Sequence, residues 1–342
     1  MRKRIAVLVD DGCIASMVSA ILDVFFVASK CLQNWYLDDS SYGYDVFVVS
    51  SEGREVKTVN GNSVLVDTDF YCSVDYDLIV IVDNQIFNDG QCLRGIDSSR
   101  LTNWIKNCYF NGCYIFSIGE AIHLLAKSGV LTNQIVAVAP HNYAGIKKLN
   151  EKVKLSNDSF AIDKKIITVQ YSYDYMKGLF SYLNKRGEEQ VVLACNEKIN
   201  QMGLRPINLD EICKFPYFDH EDLEIKKVQI WFLGNFTKKI SIGNASSEVG
   251  MGDRNFKRRF KIATGKTPTY YLQDIRVKAA KRWLEDTNLP VIKISENVGY
   301  ADFSSFCKLF KKHTGQSMGL YRKELRWIMS EGKMVDSFQI TK

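Results

Sequence analysis

The sequence predicts two domains, a doubly wound α/β domain and, after it, an all-helical domain. From Arg4 to about Gly203, short apolar runs typical of strands alternate with segments of helical periodicity. The runs are apolar throughout rather than at every second residue, as expected for parallel strands that are covered on both faces. Beyond residue 221 no strand pattern recurs, and helical patterns follow one another instead.

The elements of the first domain can be placed in order along the chain. The first strand, IAVLVD (5–10), ends at Asp11-Gly12, and helical spacing follows from Ile14 to about Leu32. Further strands are predicted at 45–50, 77–83, 114–118 and 165–170, and further helices at about 98–110, 120–128 and 172–186.

Length and composition agree with two domains. The 342 residues allow two units that each bury a core, and 46% hydrophobic and 25% charged residues are ordinary for a globular protein. Residues 204–221 hold two of the five prolines and no clear period, which predicts a linker. The expected limits are therefore 1–203 for the first domain, 222–330 for the second and 331–342 for a tail.

Charge is distributed unequally between the two parts. Residues 222–342 hold 23 of the 45 basic and 12 of the 39 acidic residues, so the second part is strongly positive although the whole chain carries only +6. Such asymmetry indicates a polyanionic partner, either a nucleic acid or a membrane surface.

Cysteine usage and the amino terminus indicate a cytoplasmic protein. The nine cysteines show no metal-ligand spacing, which is typical of reduced thiols, and we expect neither a metal nor a cofactor. The longest apolar stretch, around Met17–Ala28, is interrupted by Asp23 and is too short to span a bilayer. The first residues show no signal-peptide pattern, so no membrane association is expected.

An internal repeat organises the second domain. The first copy is VGMGDRNFKRRFKIATG (249–265) and the second is VGYADFSSFCKLFKKHTG (298–315). Phe260 and Phe310, like Gly265 and Gly315, are 50 residues apart. Each copy predicts a turn, a short helix with its phenylalanines on one face, and a glycine stop.

The faces opposite the phenylalanines carry basic and polar side chains. These are Arg254, Asn255, Arg258 and Lys261 in the first copy, and Ser304, Ser305, Lys308 and Lys312 in the second. A short helix, a tight turn and a second helix with such a face are typical of the helix-turn-helix that enters the major groove of DNA. The alternative is the solvated face of a helical bundle, and the two matched copies together with the positive charge favour DNA.

The segment between the copies predicts a long helix. In TPTYYLQDIRVKAAKRWLEDTNLP (267–290), Thr267 is a candidate N-cap, Pro268 suits the first helical position, and Asn288–Pro290 marks the end. About 18 residues would span about 27 Å, which would let two recognition helices enter successive major grooves of double-stranded DNA.

Residues 225–326 resemble the AraC-type double helix-turn-helix domain. The shared positions are Arg254, Phe260, Gly265, Pro268, Tyr271, Arg276, Ala280, Leu284, Ile294, Gly299, Phe306, Phe310, Lys311, Gly315 and Tyr321-Arg322. The chain departs from this pattern at Gly252, where a serine cap is usual, and at Ile242–Asn244, which form helices poorly. We therefore expect the first helix-turn-helix copy to be loosely packed.

The first 200 residues resemble the class I glutamine amidotransferase-like (ThiJ/PfpI-like) domain. The resemblance rests on the strand order, on LDVF (22–25) and on LLAKSGVL (124–131). It implies a flavodoxin-like, amidotransferase-like α/β fold for this domain.

The resemblance also places the catalytic positions of that family. Its enzymes carry a cysteine nucleophile in a sharp elbow after a strand. That position falls on Gly119, or on Ser117 with a two-residue shift. The family's acid falls on Met17 and its histidine on Ala139, so the resemblance implies a domain without enzyme activity.

The elbow still predicts a ligand pocket. Backbone N–H groups of the helix that starts near Glu120 favour an anion or a carbonyl oxygen. Open α/β sheets bind ligands at the carboxyl ends of their strands. The polar residues expected there are Asp11, Ser16, Asp83, Asn84, Ser117, Gly119, Glu120 and His141, each of which could instead serve as a loop or cap residue.

The sequence therefore predicts a cytoplasmic, bacterial-type AraC-family transcription regulator that binds DNA and responds to a small polar metabolite held by the non-catalytic domain. Homodimerisation is compatible with this prediction. Two alternatives stay open. One is an amidotransferase-like or hydrolase-like enzyme fused to a DNA-binding module, and the other is a constitutive DNA binder whose first domain only dimerises.

Overall fold

A computed structural model describes residues 2–35, 40–71, 74–83, 98–186, 189–201 and 220–324. The chain divides into two compact units, Met1–Cys213 and Lys214–Lys342. Asn84, the expected tail and most of the expected linker lie outside the described residues, and the domain limits expected from the sequence remain predictions.

The first unit alternates strands and helices. Its strands are β1 (Arg2–Leu8), β2 (Gly43–Ser50), β3 (Val56–Lys57), β4 (Ser63–Val64), β5 (Thr68–Asp69), β6 (Leu78–Ile81), β7 (Tyr114–Ile118), β8 (Ile135–Ala137), β9 (Lys154–Ser156), β10 (Phe160–Asp163) and β11 (Ile166–Val169). Its helices are α1 (Ala15–Trp35), α2 (Ser98–Phe110), α3 (Ile122–Ser128), α4 (Tyr143–Leu149), α5 (Tyr175–Lys185) and α6 (Glu189–Gln201).

Seven strands form one sheet in the order β10-β11-β7-β6-β1-β2-β5. All neighbours run parallel except β10, which pairs antiparallel with β11 at the edge. The predicted doubly wound parallel sheet is therefore confirmed. The antiparallel edge strand was not predicted, because the four residues of β10 are all half-exposed and show no buried apolar run.

Helix α1 is longer than the apolar stretch recognised in the sequence. Its 21 residues are long and apolar enough to cross a membrane by length and composition, so the sequence argument from length was wrong. Half of its most apolar window is buried inside the unit, where it packs on β2 and α6. Val24, Phe25 and Ala28 are among its buried residues, as expected for a core helix.

The strand register brings the carboxyl ends of the central strands together. Leu8 of β1 pairs with Ile81 of β6, Ile81 pairs with Ser117 of β7, and Ile118 pairs with Val169 of β11. The residues that follow these strands consequently share one edge of the sheet.

The second unit contains helices α7 (Leu223–Asn235), α8 (Ile242–Ser247), α9 (Asp253–Thr264), α10 (Pro268–Asp286), α11 (Val291–Asn297) and α12 (Phe303–Thr314), and no strand among its described residues. Phe256 and Phe260 of α9, and Phe306 and Phe310 of α12, are fully buried, as the repeat predicts. Thr267 caps α10 as predicted, since its hydroxyl oxygen accepts a hydrogen bond from the Tyr270 N–H at 3.2 Å.

The first helix-turn-helix copy was expected to be loosely packed, and this expectation was wrong. Helix α8 starts with a capping box, in which the Ser241 hydroxyl oxygen accepts from the Asn244 N–H at 3.1 Å and the Asn244 side chain accepts from the Ser241 N–H at 2.9 Å. Ala245 and Ser246 are buried. Capping and burial stabilise a helix whose residues have low intrinsic propensity.

Candidate functional site

Helices α9 and α12 end with matching hydrogen bonds. The Thr264 hydroxyl donates to the Phe260 carbonyl oxygen at 2.7 Å, and the Thr314 hydroxyl donates to the Phe310 carbonyl oxygen at 2.8 Å. Both helices then stop at a left-handed glycine. The repeat seen in the sequence therefore extends to local structure.

The starts of the two helices differ. Gly252 precedes α9 and provides no side-chain cap. Asp302 precedes α12, where its carboxylate accepts from the backbone N–H groups of Ser304 at 3.1 Å and Ser305 at 3.0 Å. The Ser305 hydroxyl also donates to Asp302. Both helices thus have a carboxylate at their N-terminal end, but Asp302 caps the backbone of α12, whereas Asp253 of α9 accepts a hydrogen bond from the Ser246 hydroxyl at 2.6 Å.

All eight residues predicted to contact DNA are exposed in the described unit. In α9 the Arg258 guanidinium donates to the Asn255 side-chain oxygen at 3.1 Å, so these two side chains lie together on the outer face. Arg259 was not predicted to contact DNA and serves a different role, since it forms an ion pair of 2.7 Å with Asp222 at the start of α7.

The sequence comparison of the two copies missed three exposed residues. The 50-residue offset aligns Lys261 with Lys311 and Ile262 with Lys312, and of these four residues the prediction named only Lys261 and Lys312. Lys311 is exposed, as is Lys257 on the adjoining part of α9, and Ile262 is 72% exposed. The offset itself was the signal that could have identified Lys311 and Ile262.

The elbow of the first unit is built around Gly119. It follows β7 directly, has a φ of +55° and is buried. A Cβ atom there would lie 2.9 Å from Cγ of Asp83. The conformation agrees with the sharp turn predicted at this position, and the close approach of Asp83 explains why a side chain is excluded.

Asp83 fills the space beside this turn. It is 2% exposed, and its Oδ2 accepts a hydrogen bond from the Ser172 hydroxyl, which lies in the turn after β11. Burial raises the pKa of the Asp83 carboxyl, while a hydrogen bond from the Glu120 backbone N–H acts in the opposite direction. Its Oδ1 is buried and has no hydrogen-bond partner among the described residues.

Glu120 joins two turns at the same edge. Its Oε1 accepts from His141 Nε2 at 2.9 Å and from Asn142 Nδ2 at 2.8 Å, and its Oε2 lies 3.6 Å from His123 Nε2. The hydrogen bond with His123, followed by those with Asn142 and His141, lowers the pKa of Glu120 to about 2. The same contact raises the pKa of His123.

These contacts bear on the ligand expected at the elbow. The sequence predicted that backbone N–H groups near Glu120 would favour an anion or a carbonyl oxygen, and this stays a prediction. In the structure the carboxylate of Asp83 already accepts from the Glu120 N–H, and the Glu120 carboxylate stands beside it. Two carboxyl groups of the protein therefore lie next to the place expected for the ligand, and they disfavour an anion there more than a carbonyl oxygen.

The remaining predicted pocket residues are distributed differently. Ser117 is buried in β7, and its hydroxyl has no partner among the described residues. Asp11 forms a 2.8 Å ion pair with Arg54 and accepts from the Lys57 N–H at 2.7 Å. Ser16 is exposed on the first turn of α1. The structure thus unites Asp83, Ser117, Gly119, Glu120 and His141 at one edge. Asp11 pairs with Arg54 and Lys57 instead, and Ser16 lies on α1.

Three further residues complete the edge and were missed by the sequence analysis, namely Ser172, His123 and Asn142. His123 lies three residues after Glu120 on the helical turn, and that spacing was the available signal. Within the described ranges, no group of three or more His, Cys, Asp or Glu side chains comes together as a metal site.

Comparisons with known proteins match both parts of the chain. Residues 3–184 match the model of the DJ-1/PfpI family, and residues 245–324 match that of a helix-turn-helix domain. The two resemblances recognised in the sequence are thereby confirmed.

Curated relatives include transcription activators. The chain is 39% identical over 85 residues to the transcriptional activator NphR of a Rhodococcus species, which is 25% of each protein. It is 36% identical over 89 residues to the bifunctional transcriptional activator/DNA repair enzyme AdaA of Bacillus subtilis, which is 26% of this chain and 42% of AdaA. The chain therefore spans less than half the length of these relatives.

Among solved structures, an AraC family transcriptional regulator from Pseudomonas putida aligns with 58% of this chain and 99% of its own. The identity is 16% and the TM-score is 0.48.

Proposed function

The chain belongs to the DJ-1/PfpI family and carries a helix-turn-helix domain of the AraC type, and on this basis we propose that it is a sequence-specific, DNA-binding transcription regulator of the cytoplasm. We further propose that a small polar metabolite, bound to a non-catalytic DJ-1/PfpI-like domain, controls it.

The observation that carries the DNA-binding proposal is the pair of matched helices α9 and α12. Both bury two phenylalanines and expose basic, amide or hydroxyl side chains on the opposite face. Arginine and asparagine are side chains that pair bidentately with guanine and adenine edges, and α9 presents Arg254, Asn255 and Arg258. Helix α12 offers Ser304, Ser305 and Lys308, so the first helix supplies most of the base discrimination.

Binding of the full chain to DNA fragments selected from its own genome tests this proposal. About five phosphate contacts predict a log–log dependence of affinity on salt with a slope of about −4 to −5, at about −0.9 per contact. Fluorescence anisotropy at several salt concentrations measures that slope. A slope near zero, or equal affinity for selected and random DNA, contradicts the proposal.

The non-enzymatic part of the proposal is supported by Gly119. Glycine offers no nucleophile at the elbow, and Asp83 stands where a side chain at this position would project. Hydrolysis of esters or amides by purified protein that persists in the Ser117→Ala variant would contradict this assignment.

Two unpartnered polar atoms support effector binding. Asp83 Oδ1 and Ser117 Oγ are buried without partners in the described part of the chain, and they follow or lie in neighbouring strands. A buried acceptor without a partner costs about 1–3 kcal/mol, which a ligand N–H or O–H group would recover. We therefore expect an effector that presents a hydrogen-bond donor to Asp83.

Thermal unfolding of the full chain with a panel of small polar metabolites tests effector binding. A metabolite at 100 times its Kd stabilises by about 2.7 kcal/mol. We expect such shifts to be lost in Asp83→Asn and kept in Asp158→Asn, an exposed carboxylate elsewhere in the unit. Shifts that both variants retain would place the effector at another site, and shifts for no metabolite would favour a constitutive DNA binder.

A further inference from the structure

Arg276 joins the two halves of the helical unit. It lies on α10, the helix between the first helix-turn-helix copy (α8 and α9) and the second (α11 and α12), and only 8% of it is exposed. Its Nε donates to the Phe236 carbonyl oxygen at 2.9 Å, and its Nη2 donates to the Lys238 carbonyl oxygen at 2.8 Å. Phe236 is the C-cap of α7, which packs against α8 and α9. Arg276 therefore attaches α10 to the helix that supports the first copy.

The same guanidinium contacts the turn of the second copy. Its Cζ lies 5.1 Å from the centroid of the Tyr300 ring, within the range of a cation–π interaction. Tyr300 follows Gly299 in the turn between α11 and α12, and its ring packs on that of Phe306 with the centroids 4.9 Å apart. At Gly299 the backbone comes so close that a Cβ would lie 2.8 Å from Nη2 of Arg276 and from the Phe236 carbonyl oxygen. The end of α7, the middle of α10 and the turn before α12 therefore meet around one side chain.

These contacts restrict how the two copies can move relative to each other. A guanidinium is planar and its N–H donors point in fixed directions, so the two hydrogen bonds and the ring contact hold together in one arrangement only. A shift of either copy would leave a buried charge without part of its partners, which is costly away from water. Because the chain is not helical at 265–267 and 287–290, packing around α10 rather than a continuous helix sets the angle between α9 and α12.

We propose that Arg276 is a positioning residue, which holds α9 and α12 at one separation and one angle and thereby limits the protein to one spacing between two DNA half-sites. This inference rests on the proposed DNA-binding function. Neighbouring major grooves on one face of B-DNA are about 34–36 Å apart, which is about 10–10.5 base pairs. Two inserted base pairs move the second half-site by about 7 Å and turn it by about 70° around the duplex. A rigid pair of helices cannot follow this change, so only one helix would keep its base contacts.

The test measures binding of the full chain to two DNA duplexes. The first duplex carries a site that the protein selects from random DNA, with its two half-sites located by footprinting. The second carries the same half-sites with two more base pairs between them. Fluorescence anisotropy at one salt concentration gives the two Kd values, and their ratio is the readout. We expect the insertion to raise the Kd of the wild type about 100-fold, which corresponds to the loss of one or two base contacts.

Two variants at the junction should lower this ratio. Arg276→Lys keeps the charge but loses the planar fork, and Tyr300→Leu keeps both hydrogen bonds but loses the aromatic face. In each variant the insertion should raise the Kd about 10-fold or less, because the second copy can follow its half-site. Arg282→Lys makes the same exchange at a half-buried arginine of α10 and is the matched control, which should keep the wild-type ratio. A loss of stability alone weakens binding to both duplexes equally and leaves the ratio unchanged.

Three results would overturn the proposal. One is a wild-type ratio near 1, because the two copies would then adapt to either spacing. Another is retention of the wild-type ratio by Arg276→Lys, or by Tyr300→Leu where the lysine variant does not fold. The third is an equal decrease in Arg282→Lys. If the protein selects no DNA site at all, the DNA-binding function itself is refuted, and that result differs from binding that tolerates both spacings.

Discussion

The two turn glycines of the repeat make a matched pair of substitutions. Gly250 precedes α9 and Gly299 precedes α12, with φ of +60° and +85°. A Cβ at Gly299 would lie 2.8 Å from the Phe236 carbonyl oxygen and 2.8 Å from the Arg276 guanidinium, whereas a Cβ at Gly250 would have no atom within 4 Å. Alanine at either position adopts a left-handed conformation, but only at Gly299 does it also collide with backbone.

The magnitudes follow from these two contributions. A left-handed alanine costs about 1–2 kcal/mol, so Gly250→Ala should destabilise the second unit by about that amount. Gly299→Ala adds overpacking against a carbonyl oxygen that is fixed by α7, which costs a further 1–3 kcal/mol or so. We therefore expect Gly299→Ala to lower the free energy of unfolding by about 2–5 kcal/mol.

Native-state hydrogen exchange of the full chain measures both effects, because it reports the opening free energy of α10, α11 and α12 separately from the first unit. DNA affinity at constant salt gives a second readout. Equal destabilisation by the two variants would show that the close approach at Gly299 is irrelevant. No destabilisation by either would show that the left-handed conformation is not required.

Three other predictions follow from the same structure. Gly119→Cys should destabilise the first unit by about 2 kcal/mol or more in thermal unfolding, because its backbone is left-handed and its side chain clashes with Asp83. Gly129→Cys is the control, since its φ is +79° but no atom lies within 4 Å of a Cβ there, so it should show only the cost of the left-handed backbone. The pKa of about 2 for Glu120 predicts a contribution to stability that is fully present above about pH 4.5 and is lost as pH falls through 2. The raised pKa of His123 adds a contribution that is present below about pH 6.5 and is lost as pH rises through its folded-state value. The free energy of unfolding, measured in urea, should therefore depend less on pH in Glu120→Gln than in the wild type, and an unchanged pH dependence would contradict the assignment. Arg258→Ala should weaken binding to a selected DNA site by about 1–3 kcal/mol and to random DNA by less, and equal losses in competition binding would show that Arg258 contacts only phosphate.

The fold could be predicted from the sequence wherever buried residues form an apolar segment with a clear period and clear ends. Helix α2 and strand β7 were predicted at the residues where the structure has them, because a turn signal limits each apolar segment. Helix α6 was not predicted, since its run of Val191, Val192 and Leu193 is continuously apolar and obscures the helical period. The recognition faces were predictable because the same spacing occurs twice.

The contacts at the elbow could be predicted only in part. Spacing indicated that Asp83, Gly119 and Glu120 would follow neighbouring strands, and the register brings them together. The hydrogen bond between Asp83 and Ser172 joins residues 89 positions apart, so no local sequence pattern predicts it. For the same reason, the sequence does not show that the Asp83 carboxyl group lies beside the place where an anion or a carbonyl oxygen was expected.

The position of Asp83 against Gly119 also limits which mutations could give the elbow a nucleophile. A cysteine introduced alone at residue 119 collides with a carboxylate that is held by Ser172 and by the Glu120 backbone. Removing the carboxylate alone leaves those donors unpaired and supplies no nucleophile. Each single step is therefore unfavourable, and only the joint replacement of Asp83 and Gly119 relieves both problems. Such coupling is sign epistasis between contacting residues, so gradual mutation seldom reaches nucleophilic chemistry at this elbow.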